Sequence, residues 1–132
     1  MPLIVGTVLA LAAGLFATAV GLDRDRAFYP TVMIVIAVIY SLFAVMGGST
    51  HALVLESLAG GAFIAGAVVG FRSSLWIVAV ALAAHGLFDA IHGQVIVNPG
   101  VLGFWPAFCA SYDVVAAIYL AWLLKSGRIR AT

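Results

Sequence analysis

An all-α integral membrane bundle of five transmembrane helices is the fold this sequence predicts, and three observations predict it. Of the 132 residues, 65% are hydrophobic and only 8% are charged, whereas a soluble domain carries about 25% charged residues. Five apolar runs follow one another, each of about 20 residues and so long enough to cross a hydrocarbon core of about 30 Å as a helix. The basic residues fall only in alternate connections, as expected of a multi-pass chain with one cytoplasmic face.

The spans are drawn at 2–22, 29–48, 52–71, 74–97 and 105–124, in a single transmembrane domain over 1–132. Helices are required because lipid leaves no backbone polar group a partner outside its own segment. Barrel strands would alternate apolar and polar residues, and these runs do not. The first run is read as a span rather than a signal peptide. Its leading residues, Met1-Pro2-Leu3-Ile4, carry no basic side chain, and its apolar stretch exceeds the usual signal core of about 7–15 residues. The connections are short: Asp23 to Phe28, Ser49 to His51, Arg72-Ser73, and a turn-rich Asn98 to Phe104 containing Asn-Pro and Pro-Gly. Short loops predict neighbouring antiparallel helices in one bundle.

Orientation follows from Arg24, Arg26, Arg72, Lys125, Arg128 and Arg130. Five spans place all six on one side, which the positive-inside rule assigns to the cytoplasm; a four-span count scatters them over both faces. The N-terminus is then outside and the C-terminus cytoplasmic. Tyr29, Trp76, Trp105 and Trp122 sit near span ends as an aromatic belt. Ala10, Gly14 and Thr18 in the first span, and Ala62, Gly66 and Gly70 in the third, have the four-residue period that lets helices approach closely, most simply within one subunit. A net charge of +1 gives no reason to expect nucleic acid as a partner. The single cysteine, Cys109, excludes an intrachain disulfide and a Cys-based zinc motif.

The informative residues are those in the wrong solvent. An ionisable side chain at the bilayer centre costs at least about 2.5–3.5 kcal/mol. Glu56 lies in the third span, His85, Asp89 and His92 in the fourth, and Asp113 in the fifth. His85, Asp89 and His92 are four and three residues apart and so share a helix face. Trp105, Cys109 and Asp113 share another. Glu56, Gly60 and Phe63 form a stripe in which the glycine admits a neighbour close to the carboxylate. By depth, Glu56 and His92 lie about one turn inside the outer end, Asp89 and Asp113 come next and His85 sits near the middle, with His51 above them and Tyr40 and Ser41 at a similar level. One polar cavity opening outward or sideways is expected, with Glu56, His85, Asp89, His92 and Asp113 as its core. His51, Tyr40, Cys109 and Asn98 rank second. Singly, each group has a structural reading: a hydrogen-bonded core histidine, a packing cysteine, interfacial tyrosines.

Two imidazoles and three carboxylates are a ligand set for zinc or iron. They equally suit metal-free acid–base chemistry on a lipid-soluble molecule, with Glu56, His85, Asp89 and Asp113 as the candidate catalytic groups. A proton-coupled small transporter would also place acids at mid-membrane, but the inner half looks apolar, so a carrier would have to oligomerise. An accessory subunit of a larger membrane complex also fits short loops without a soluble domain.

The runs Gly-Leu-Asp-Arg-Asp-Arg-Ala-Phe-Tyr-Pro (21–30), His-Gly-Leu-Phe-Asp-Ala-Ile-His-Gly (85–93) and Asn-Pro-Gly-Val-Leu-Gly-Phe-Trp-Pro-Ala-Phe-Cys (98–109), followed by Asp113, resemble a family of small bacterial multi-pass membrane proteins of unknown function. The resemblance covers nearly the whole chain. It implies the architecture and a bacterial inner membrane, and no activity. A remoter similarity is to membrane hydrolases of the alkaline ceramidase and adiponectin-receptor type, which hold zinc with three His plus Asp and Ser in a seven-helix core. This chain departs from them, with two His on one helix, one loop His and fewer helices.

Overall fold

A computed structural model describes residues 1–132 and contains five helices and no strands: α1 Pro2–Val20, α2 Phe28–Met46, α3 Thr50–Arg72, α4 Leu75–Val95 and α5 Trp105–Lys125. Each is long and apolar enough to cross a membrane. Their outward faces are apolar, with Leu15, Leu58 and Leu87 each more than half exposed.

The helix ends differ from the drawn spans where local chemistry intervenes. α1 stops at Val20 because Gly21 adopts the left-handed conformation (φ 86°) and its N–H returns to Ala17 O; a glycine there carries no Cβ penalty. α3 starts at Thr50, before the drawn span, because the Ser49 hydroxyl accepts from the Ala52 N–H. Ser74 caps α4 in the same way through Trp76 N–H. α4 ends at Val95, where Ile96 turns extended ahead of Asn98-Pro99.

Across the bundle the packing order is α1–α5–α4–α3–α2, with α2 also resting on α4. Short loops therefore do not make every consecutive pair neighbours: α1 makes its extensive contact with α5, not with α2. Its buried stripe is Gly6, Ala10, Gly14 and Ala17, with Thr18 half-buried. On α3 the expected stripe is corrected. Ala62 is exposed and Gly66 half-buried, and the buried small residues are Gly60, Ala67 and Gly70. The continuous apolar core includes Met33, Val78, Leu82, Leu120 and Leu123.

All six Lys and Arg side chains lie at one end, where the first loop, the third loop and the C-terminal tail meet. Arg26 donates to Arg130 O (3.1 Å) and Ala131 O (3.0 Å), and Leu75 N–H donates to Ala131 O (2.8 Å). These bonds hold Arg26 at φ 69°, a conformation costly for a non-glycine residue. At this end Asp23 is buried although it lies in a loop. It accepts from the Thr18 hydroxyl (2.7 Å), which in turn accepts from Tyr119 (2.8 Å). At the other end, Gly100 of the fourth loop lies against the backbone of Phe43 and Gly47, where a side chain could not fit.

Gly60 and Gly61 offer a paired test. A Cβ on Gly60 would stand 2.5 Å from Ala37 O, whereas one on Gly61 would meet nothing within 4 Å. Gly60→Ala is expected to destabilise by about 1–3 kcal/mol through overpacking. Gly61→Ala is expected to stabilise by about 0.5–1 kcal/mol through helix propensity. Thermal unfolding in mild detergent should move the two variants in opposite directions.

Candidate polar site between α3, α4 and α5

The geometry starts from Gly86. A Cβ at this position would come 2.7 Å from a Val114 methyl and 3.2 Å from Ala110 O, so the glycine lets α4 and α5 close on one another. That approach sets His85 against Asp113. The His85 Nδ1–H donates to Asp113 Oδ2 at 2.7 Å. Asp89, one turn along α4, brings its Oδ2 to 3.3 Å from the same nitrogen without hydrogen-bond geometry. The candidate ligand atoms of His85, Asp89 and Asp113 all lie within 4.8 Å of one another.

A second unit lies one to two turns towards the end without basic residues. His92 Nε2–H donates to Glu56 Oε2 at 2.6 Å, and Asn98 Nδ2 donates to the same oxygen at 2.8 Å and to Tyr40 O at 3.0 Å. Asn98 Oδ1 accepts from Gly100 N–H, which folds the fourth loop over the site. Gly60, one turn beyond Glu56, brings α3 onto the α2 backbone at Ala37.

Tyr40 joins the two units. Its ring stacks on His92 at 3.9 Å with the planes 7° apart, and lies 6.3 Å from His85. Its hydroxyl makes no hydrogen bond but approaches Asp89 closely. Phe63 packs edge-on against His85 at 4.6 Å and Phe88 edge-on against His92 at 5.4 Å. Sequence reading passed over Phe88 as a site residue, although it lies three residues beyond His85 and four before His92, on the same face. The Thr18–Asp23–Tyr119 network at the basic end was also missed, because nothing in a loop aspartate signals burial.

The five core residues are thus brought together, but as a triad and a pair rather than one ligand sphere. All are between 0% and 2% exposed. The cavity expected around them is not found as drawn. The side chains are packed in, and a cleft of about 510 Å³ lies behind Cys109, lined by none of the five. Of the second-rank residues, Tyr40 and Asn98 belong to the site and Cys109 stands on its edge, within range of the charges of Asp89 and Asp113. His51 does not belong. It is exposed on the first turn of α3. Ser41 instead meets Ser57 at 3.1 Å on an exposed face.

Charge is the outstanding property of this site. Three carboxylates face two imidazoles, so even with both imidazoles protonated one negative charge is left over. Both Asp89 oxygens, Asp113 Oδ1 and Glu56 Oε1 are buried without a hydrogen-bond partner. Burying an unpaired charge is far more costly than any single contact here can offset. The excess charge must therefore be met by a proton or by a cation.

Comparison with known proteins returned no match: no family model, no curated protein and no solved structure is similar to this chain.

The Glu56–His92 pair gives a direct test of coupling. His92→Ala leaves Glu56 buried without its main partner and is expected to cost about 3–5 kcal/mol. Glu56→Leu with His92→Leu should cost much less than the two single changes added together. A double-mutant cycle from thermal or denaturant unfolding measures the difference; additive losses would show that the two side chains act independently.

Proposed function

We propose that this chain is a multi-pass membrane protein, seated in a bacterial inner membrane with its basic end in the cytoplasm, whose buried His–carboxylate centre holds a divalent cation and acts on a small or lipid-soluble molecule. His85, Asp89 and Asp113 are the ligands, and zinc or iron suits their nitrogen and oxygen donors. The observation that carries the reading is the set of unpartnered carboxylate oxygens on Asp89 and Asp113, beside an imidazole, in a site with surplus negative charge. A bound cation would supply Lewis acidity and an activated water. Glu56 and His92, held by Asn98 and Tyr40, would take and return protons next to it.

One distance favours a second reading. Tetrahedral ligands about 2.0–2.2 Å from zinc stand about 3.3–3.6 Å apart. The 3.3 Å between His85 and Asp89 meets that spacing, while the 2.7 Å between His85 and Asp113 is a hydrogen bond that loading would have to open. In the second reading the surplus charge is neutralised by a proton shared between Asp89 and Asp113, and the centre handles protons without metal. The carrier reading has less support. The apolar core around Met33, Leu82, Leu120 and Leu123 fills the half towards the basic end, so no polar path continues from the site.

Elemental analysis of the detergent-purified protein separates the two readings. Stoichiometric zinc or iron is expected in the wild type, with loss in folded His85→Ala and Asp113→Asn variants. A wild type that stays metal-free after incubation with both ions sinks the cation reading in favour of the proton-sharing centre.

A further inference from the structure

The first two helices are consecutive but stand apart, and the space between them is a cleft of about 510 Å³ floored by α5. That volume is within the range of about 300–1,000 Å³ typical of small-molecule sites. Leu9 of α1 forms one wall, Val35 and Ile39 of α2 the other, and Trp105, Phe108 and Cys109 of α5 the floor. The lining residues on α2 run from Phe28 to Ile39, about 16 Å along the helix axis. With five helices each able to span a bilayer, such a slot opens towards lipid, and its walls carry no charge along most of their length, Tyr112 and the partnerless Trp105 Nε1–H being the polar groups there.

The exception is at the basic end, where Asp25 is the only charged residue in the lining. One of its oxygens accepts from Ala27 N–H. The side chain is exposed, and no cation lies within 4 Å of it. Arg26 is bound to the C-terminal carbonyls and lies over Phe71, while Arg24 lines a separate small pocket with Arg128. Thr31, the polar lining residue nearest to it on α2, donates to Ala27 O. The mouth of an apolar slot therefore presents a carboxylate oxygen free to accept.

From this charge arrangement we infer that the cleft binds a single-chain amphiphile with a hydrogen-bond-donating, non-anionic head, a long-chain amine or alcohol, its head at Asp25 and its tail running along α2 past Cys109. At the contact itself an anionic head, carboxylate or phosphate, would meet the exposed Asp25 as a like charge, although all six Lys and Arg lie at this same end of the bundle. Cys109 is the wall shared with the polar site, one turn from Asp113. If the cation reading of that site holds, on which this last step rests, the bound chain is its substrate, held behind Cys109, which must move aside before the chain meets the reacting groups.

The test uses the full chain in nanodiscs of zwitterionic lipid, with Trp76→Phe and Trp122→Phe leaving Trp105 as the fluorophore. The probes are a terminally brominated long-chain amine and its carboxylate counterpart. The amine is expected to quench Trp105 saturably and at least about tenfold more tightly than the carboxylate, a difference of about 1.4 kcal/mol. Asp25→Asn should shrink that preference to within about twofold, and Val35→Phe, which fills the slot, should abolish saturation for both probes. Quenching that rises linearly with probe, equally for both heads and in the Val35→Phe variant, overturns the inference. Metal content of the same preparations keeps the two proposals apart. Saturable amine binding without metal supports the cleft and removes only its role as a substrate site, whereas metal with linear quenching overturns the cleft alone.

Discussion

The hydrogen bond from His85 to Asp113 crosses between two helices at a depth where neither side chain has water to fall back on. It exists only because Gly86 lets the α4 and α5 backbones meet, and it fixes the rotation of both helices at once. With α4 so turned, Asp89 must face α5 and His92 must face α3, where Glu56 receives it. With α5 so turned, Cys109 and Trp105 face the cleft. The polar groups and the cleft are thus two sides of one helix setting. A change that rotates α5 to relieve the site would also remodel the slot beside it.

The polar centre imposes a division of labour along the bundle axis. One half is tightly packed by Met33, Leu82 and Leu120, whose burial needs no partner chemistry. The other half is held by directional contacts among Glu56, His92, Asn98 and Tyr40, whose stability depends on each member being present. The fourth loop belongs to the second half. Asn98 reaches in to Glu56, and Gly100 sits on the α2 backbone, so the loop is part of the site's architecture.

The sequence was most informative where a single helix carries the signal. Five apolar runs, the shared face of His85, Asp89 and His92, and the small-residue stripe of α1 are properties of one segment read at its own period, and the helices and buried faces follow them. What involves two segments was harder to read. That α1 pairs with α5 rather than α2 is decided by which glycine-lined surfaces fit, and loop length says nothing of that. The partition of five ionisable groups into a triad and a pair depends on helix rotation, which polarity alone fixes only to within a face. Asp23 gives no sign of burial in the sequence because the Thr18 hydroxyl it accepts from is itself held by Tyr119, from the far end of the chain.

The packing order has a consequence for biogenesis. A chain emerges from its N-terminus, so α1 is complete while its partner α5 is still unmade. Its stripe of glycines and alanines must wait without the surface it fits until the last helix arrives. α2 and α3, by contrast, can pair as soon as they are made, and α4 then finds Glu56 waiting for His92. His85 and Asp89 are made before Asp113 exists, so α5 completes the polar centre and docks α1 in the same step. Assembly in this order makes the final helix the step that turns two incomplete surfaces into a finished bundle.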